Sequence, residues 1–263
     1  MPTFRSGDAE LYYEAEGEGP PVLLLHGLGS STRDWEYQIP ELAQSHRVIV
    51  LDVRGHGRSS KPPGPYSVAQ FASDATALLC RLNAAPAHVV GLSMGGMIAF
   101  QMAVDSPEVV RSLVIANSGP AMILRKLHQR ALIRSRFFVV RLFGMRALAK
   151  MVVYPVFPDP GQEGLRQRFM DSIAANDPRA YLDSLRAING WSVADRIGGI
   201  QCPVLVISSD QDYTPVEFKR EYAAQIPGAQ VVVLKNSRHI APMDQPEQFN
   251  RVVLEFLSRI EVV

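Results

Sequence analysis

The 263-residue sequence has few cysteines, little net charge and no long apolar run, and each of these makes a class of function less probable. Its two cysteines, Cys80 and Cys202, lie far apart and match no metal-ligand spacing, so we expect both to be buried apolar residues. Basic and acidic residues nearly balance, 27 against 26, which gives no indication of nucleic-acid binding. There is no apolar run of about 18 residues to span a membrane and no pattern typical of a signal peptide. We therefore expect a cytoplasmic protein, and we expect neither a metal nor another cofactor.

Short apolar runs recur along the chain and predict buried strands. They cover residues 22–25, 48–51, 89–90, 110–116, 204–207 and 231–234. Helical periodicity lies between them, and the first 16 residues are typical of a hairpin with its turn at 6–8. This alternation predicts an α/β fold with a doubly wound, mostly parallel sheet of about eight strands. Only the N-terminal hairpin is expected to be antiparallel.

One region, residues 119–190, interrupts the alternation, because it shows helical patterns without a buried strand. From residue 121 to 190 it carries twelve Lys and Arg against five Asp and Glu. We interpret it as a helical cap inserted into a core formed by residues 1–118 and 191–263. The favoured interpretation has solvated arginines and an apolar face that closes on a hydrophobic pocket. That face would include Ile123, Leu127, Phe137, Phe138 and Leu142. An alternative, not favoured, is that the basic face meets anionic lipid or an acidic substrate.

The stretch Gly91–Gly95, with Ser93 at its centre, is typical of a nucleophile elbow. An apolar run precedes it and a helical pattern follows it. Such a turn strains the serine backbone and raises its hydroxyl above the sheet, while the glycines avoid collisions with strand and helix. Ser93 is therefore the candidate nucleophile.

A serine nucleophile needs a base and a carboxylate that orients the base. His239 follows the last predicted strand, where catalytic groups of such sheets gather. Asp210 and Asp212 both follow the strand at 204–207, and one imidazole takes only one of them. We favour Asp212, because it lies farther beyond the strand end, and interpret Asp210 as a turn residue.

The oxyanion of a tetrahedral intermediate needs backbone N–H donors. Met94 follows the nucleophile and begins the next helix, whose dipole favours negative charge. The second donor should come from the loop 26–29 after the strand at 22–25, and Leu28 is the candidate.

Five sequence blocks in this order resemble the α/β-hydrolase family over nearly the whole length. They are His26–Gly29, Asp52–Ser59, Gly91–Gly96, the segment from Pro203 through Asp212 to Pro215, and Ser237–His239 followed by Gln245–Glu247. The resemblance implies a Ser93, Asp212 and His239 triad, an oxyanion hole from Leu28 and Met94, and a lid near residues 119–190. In the block Asp52–Ser59, Gly55 and Gly57 are typical of a tight loop that Asp52 and Arg54 tie down by hydrogen bonds, so we interpret the block as structural rather than catalytic.

The serine nucleophile argues against epoxide hydrolases and haloalkane dehalogenases of this fold, which use a carboxylate at that position. We favour a carboxylesterase that acts on a small-molecule ester of mainly apolar character. A lactonase, a C–C bond hydrolase or a perhydrolase stays open, and a non-catalytic ligand receptor is a remote alternative.

Overall fold

A single sheet organises the fold in a computed structural model that describes residues 2–123 and 127–261. The strands are β1 (Thr3–Ser6), β2 (Ala9–Glu16), β3 (Pro21–Leu25), β4 (Arg47–Leu51), β5 (Ala87–Leu92), β6 (Val110–Ala116), β7 (Val204–Ser209) and β8 (Gln230–Leu234). Their order is β1-β2-β4-β3-β5-β6-β7-β8. The pairings of β1 with β2 and of β2 with β4 are antiparallel, and the others are parallel. The predicted fold class is thus confirmed.

Helices follow most of the strands. They are α1 (Ile39–Leu42), α2 (Val68–Arg81), α3 (Met94–Asp105), α4 (Leu127–Val156), α5 (Glu163–Ala174), α6 (Pro178–Ile188), α7 (Val216–Ala223), α8 (Ala241–Asp244) and α9 (Pro246–Glu261). Helix α2 packs against α3, while α1 and α8 pack against α9. None of the helices within the two described ranges combines the length and hydrophobicity needed to cross a bilayer.

Helix α2 shows how local sequence determines an element and where one expectation was wrong. Ser67 caps it, accepting a hydrogen bond from the Gln70 N–H at 3.0 Å. Apolar residues spaced three and four apart, such as Phe71 and Leu78, form its buried face. Cys80 was expected to be buried but is exposed, because its position points away from that face. Cys202 is partly buried.

The segment between β6 and β7 is helical and contains α4, α5 and α6. Its two ends meet, since the Met122 N–H donates to the Trp191 carbonyl at 2.8 Å and the Gly190 N–H donates to the Met122 carbonyl at 3.0 Å. Helix α4 changes direction at Gly144, which has a positive φ of 77°. The division into a core and a cap at residues 119–190 stays a prediction.

The expected inward apolar face of this segment was wrong for most of its residues. Leu127, Phe138 and Leu142 are exposed, as is about half of Ile123, whereas Phe137 is partly buried. Other positions of α4 supply the buried face, namely Ile133, Val140, Met145, Leu148, Ala149, Val153 and Val156. Arg125 and Lys126, two of the basic residues counted in the sequence, lie outside the described residues.

Candidate active site

Ser93 occupies a sharp turn between β5 and α3. Its backbone has φ 54° and ψ −114°, a conformation that a non-glycine residue adopts only under constraint. The neighbouring glycines allow the turn. A Cβ on Gly91 would lie 2.3 Å from the Gly95 carbonyl oxygen, and a Cβ on Gly95 would lie 2.0 Å from the Leu25 carbonyl oxygen. The turn therefore has the geometry that the glycine–serine pattern predicts.

His239 and Asp212 come together from the loops after β8 and β7. The distance from His239 Nδ1 to Asp212 Oδ1 is 2.8 Å. The other carboxylate oxygen, Oδ2, accepts hydrogen bonds from Thr214 Oγ1 and from Lys219 Nζ, each at 2.5 Å. Burial alone would raise the pKa of Asp212, but the nearby His239 and Lys219 outweigh burial and lower that pKa well below its usual range.

Lys219 of α7 provides a positive charge beside this carboxylate, and its side chain is fully buried. Its ammonium also donates to the Thr214 carbonyl at 2.9 Å. Burial lowers the pKa of Lys219, and the charge of Asp212 acts against that shift. The pair places a compensating positive charge on the side of Asp212 away from His239.

Asp210 performs a different task from Asp212, although it lies only two residues earlier. Its carboxylate accepts hydrogen bonds from the backbone N–H groups of Asn236, at 3.2 Å, and Ser237, at 3.1 Å. These bonds hold the loop that carries His239. The structure thus places Asp212, and not Asp210, against the imidazole.

The hydroxyl of Tyr213 occupies the position where a nucleophile would meet the imidazole. It lies 2.5 Å from His239 Nε2, and the two rings stack with centroids 4.1 Å apart. No direct hydrogen bond joins the Ser93 side chain to His239 among the described residues. Tyr213 as a whole is 64 % exposed, although its hydroxyl meets His239 Nε2. Burial of that hydroxyl raises the pKa of Tyr213, and Asp212 adds to the effect.

The predicted oxyanion donors, the N–H groups of Leu28 and Met94, belong to the loop after β3 and to the first residue of α3. Gly27 lies against Ser93, since a Cβ on Gly27 would be 3.6 Å from the serine Cβ. Neither the Leu28 N–H nor the Met94 N–H has a hydrogen-bond acceptor within the part of the chain that the structure describes. Both donors are thus available to a ligand oxygen.

The helical segment holds the loop that contains Leu28. Asn176 Nδ2 donates to the Gly29 carbonyl at 2.6 Å. Ile173 and Tyr181 cover Gly29 so closely that a Cβ there would lie 2.9 Å and 3.0 Å from their side chains. Glycine at this position, with its positive φ of 78°, therefore allows the helices to contact the loop.

The block that begins at Asp52 is tied to neighbouring elements by hydrogen bonds. Asp52 Oδ1 accepts the Thr32 N–H at 2.6 Å, and Oδ2 accepts the Arg58 N–H at 2.7 Å. Arg54 pairs with buried Asp74 of α2 at 2.6 Å. The geometry agrees with the structural role that the sequence suggests.

His26 connects this block to the loop beside Ser93. Its Nδ1–H donates to the Gly27 carbonyl at 2.8 Å, which leaves Nε2 to accept the Val53 N–H at 3.0 Å. Burial lowers the pKa of His26 to about 4 and that of the adjacent His56 to about 3. Both imidazoles are therefore neutral near pH 7 and fix loops rather than exchange protons.

Sequence reasoning missed three side chains of the candidate site. Tyr213 had a signal, because it directly follows Asp212 in the sequence. Lys219 and Asn176 had none, because only tertiary packing brings them to Asp212 and to the loop with Leu28.

The same architecture occurs in known proteins. A family described as the alpha/beta hydrolase fold matches residues 20–246. The chain is 29% identical to 3-oxoadipate enol-lactonase 2 of Acinetobacter baylyi, over 98% of this chain and 96% of that protein. The enol-lactonase structure from Burkholderia xenovorans superposes with a TM-score of 0.91 and 28% identity, covering 98% and 100% of the two chains. A thermophilic esterase structure from Thermogutta terrifontis gives a TM-score of 0.88 and 27% identity, covering 98% and 97%. From the family match, we conclude that the chain belongs to the α/β-hydrolase family.

Proposed function

We propose that the protein is a serine hydrolase that cleaves small or medium carboxylic esters through an acyl-enzyme intermediate. One observation carries the proposal. The Asp212–His239 pair, joined at 2.8 Å, lies at the same edge of the sheet as a serine held at positive φ. Two adjacent residues after β6 connect them, since Asn117 Nδ2 donates to the His239 carbonyl at 2.9 Å and Ser118 Oγ donates to the Ser93 carbonyl at 2.6 Å. The names of the enol-lactonase and esterase relatives support hydrolysis at an acyl carbon.

In the proposed first step, Ser93 Oγ attacks the acyl carbon while its proton passes to His239 Nε2. Asp212 holds the Nδ1–H tautomer and stabilises the imidazolium that forms. The N–H groups of Leu28 and Met94 donate to the oxyanion. The imidazolium then protonates the leaving alkoxide, and the acyl-enzyme remains.

The second step mirrors the first. A water molecule attacks the acyl carbon as His239 Nε2 takes its proton, and the collapsing intermediate releases the acid and restores Ser93. Both steps require the Tyr213 hydroxyl to leave Nε2, because that nitrogen must accept the nucleophile's proton. A rotation of this exposed side chain suffices, so the proposal places substrate entry on the Tyr213 side.

A lactonase uses the same groups on a cyclic ester, and the enol-lactonase relatives favour it as the second candidate. Hydrolysis of 4-nitrophenyl esters from acetate to palmitate, beside a set of lactones, ranks the two substrate classes. We expect Ser93→Ala to reduce kcat by about 10⁴- to 10⁶-fold.

Covalent labelling shows whether Ser93 itself reacts, which a loss of activity in a misfolded variant would not show. A serine-reactive phosphonate should modify Ser93 alone, as peptide mass spectrometry would show. Ser73→Ala, on the exposed face of α2, is the matched control and should react like the unaltered protein. Substantial turnover in Ser93→Ala, or labelling of another serine, contradicts the proposal. Ligand binding without any turnover would favour a receptor instead.

A further inference from the structure

Asn117 is the first residue after β6, the strand that lies between β5 and β7 in the sheet. It is buried, and its φ of 43° lies in the left-handed region, which asparagine tolerates better than most residues. Its backbone N–H donates to the Ile207 carbonyl at 3.0 Å, which continues the pairing of β6 with β7. Asn117 therefore lies at the carboxyl edge of the sheet, between the strand before Ser93 and the strand before Asp212.

The Asn117 amide joins the loop after β7 to the loop after β8. Its Oδ1 accepts a hydrogen bond from the Ser209 N–H at 2.8 Å, and its Nδ2 donates to Ser209 Oγ at 2.8 Å. The same Nδ2 donates to the carbonyls of Arg238 at 3.1 Å and His239 at 2.9 Å. The described residues supply no other hydrogen-bond donor to these two carbonyls. The backbone position of His239 thus depends on this one side chain.

The partners of the amide determine its orientation. An asparagine side chain has two N–H hydrogens and one accepting oxygen. With Oδ1 and Nδ2 exchanged, the oxygen would face the carbonyls of Arg238 and His239, and the NH₂ group would face the Ser209 N–H. A side chain at this position must therefore both accept and donate to connect the two loops.

The neighbours of Asn117 hold the other partner of the proposed proton transfer. The Ser93 N–H donates to the Ala116 carbonyl at 3.0 Å, and the buried Ser118 hydroxyl donates to the Ser93 carbonyl at 2.6 Å. Residues 116–118 thus bind the backbone of both Ser93 and His239. Proton transfer requires Ser93 Oγ and His239 Nε2 to come within hydrogen-bond reach, so this connection limits the motion that would separate them.

We propose, on the basis of the proposed function, that Asn117 is a positioning residue that holds the backbone of His239 in place relative to Ser93. It neither touches the substrate nor exchanges a proton. Its loss should slow the chemical step without weakening substrate binding, because a misplacement of about 1 Å costs on the order of 10²-fold in rate.

Asn117→Gly removes the amide while its backbone keeps the positive φ without strain. We expect kcat for a 4-nitrophenyl ester to fall about 10²-fold and KM to stay within about twofold. Titration with the phosphonate counts the reactive Ser93 sites, so that an unfolded fraction is not mistaken for slow catalysis. A merely structural role predicts fewer reactive sites with an unchanged kcat at each of them, and that result overturns the proposal.

Asn117→Asp tests the donor, because it keeps the size of the side chain and an acceptor for the Ser209 N–H. At about pH 9 its carboxylate has no hydrogen to donate, so kcat should be as low as in Asn117→Gly. The matched control is Asn250→Asp on α9, a buried amide that donates to the Tyr37 carbonyl at 2.8 Å and should keep kcat within about twofold. Equal kcat values for the two Asp variants overturn the proposal.

Hydrogen–deuterium exchange tests the connection without turnover. The Gln211 N–H donates to the Ser237 carbonyl at 3.0 Å, so its exchange reports opening between the loops after β7 and β8. We expect this exchange to rise about tenfold in Asn117→Gly but not in Asn250→Asp. If no ester is cleaved and Ser93 is not labelled, the proposed function fails, yet this difference still shows that Asn117 holds the loop after β8. Unchanged exchange in Asn117→Gly overturns the proposal.

Discussion

The carboxyl edge of the sheet and the helical segment at residues 119–190 meet at Ser93, but they supply its neighbours in different ways. Ser93, Asp212 and His239 follow β5, β7 and β8, so parallel strands alone bring them to one edge. Ile173 of α5 and Tyr181 of α6 cover Gly29, next to Leu28, so their positions depend on how these helices pack. The backbone topology thus positions the proposed reacting groups, and helix packing positions the side chains that cover the loop with Leu28.

Replacing each of the two neighbouring aspartates by asparagine tests which carboxylate at the sheet edge orients His239. Of the predictions made here, this one has the largest expected effect. Asp212→Asn should lower kcat by about 10⁴-fold, because the amide favours the wrong imidazole tautomer. Asp210→Asn is the control and should cost about threefold or less, since its amide oxygen still accepts a backbone N–H. Ester kinetics on both variants decide, and an inactive Asp210→Asn with an active Asp212→Asn would reverse the assignment.

Lys219 is a helix residue that acts on the sheet edge although it lies outside the predicted cap. It belongs to α7, and its ammonium donates to the Asp212 carboxylate. Lys219→Met should destabilise the fold by about 3 kcal/mol, since it removes one partner of a fully buried ion pair. Loss of the ammonium removes one of the two charges that lower the pKa of Asp212, so that pKa should rise and the acid limb of kcat/KM should move to higher pH. Thermal unfolding and a pH–rate profile measure the two effects.

The exposed Lys235→Met serves as the control for loss of one positive charge. It should change neither the Tm nor the acid limb. An unshifted limb in Lys219→Met, together with full stability, would show that the buried ammonium does not act on Asp212.

Tyr213 follows Asp212 in the loop after β7, and its hydroxyl competes with the proposed reaction because it bonds to His239 Nε2. Tyr213→Phe keeps the ring over His239 but removes the hydrogen bond to Nε2. A net hydrogen bond of about 1 kcal/mol predicts a roughly fivefold faster reaction with a neutral phosphonate. Stopped-flow labelling measures this rate. A slower reaction would mean that the hydroxyl assists the chemistry instead of blocking it.

Particular residues show how far the sequence predicts this molecule. Alternating apolar runs were enough for the sheet, because a strand buried on both faces leaves a continuous hydrophobic signature. Gly91 and Gly95 indicated the turn at Ser93, because only glycine avoids the backbone contacts there. The direction of Phe138 was mispredicted, because α4 has apolar and basic residues all around it and its periodicity marks no inward face.

The outer arginines of α4 should have the smallest effect. Arg134 and Arg141 are exposed on a helix that also exposes Phe138 and Leu142. Charges in solvent are screened beyond about 10 Å at 0.1 M salt, so the double variant Arg134→Gln, Arg141→Gln should keep kcat/KM for soluble esters within about twofold. We also expect no co-sedimentation with anionic vesicles at that salt concentration. Vesicle binding that weakens as salt rises, and that the double variant loses, would assign this face to lipid.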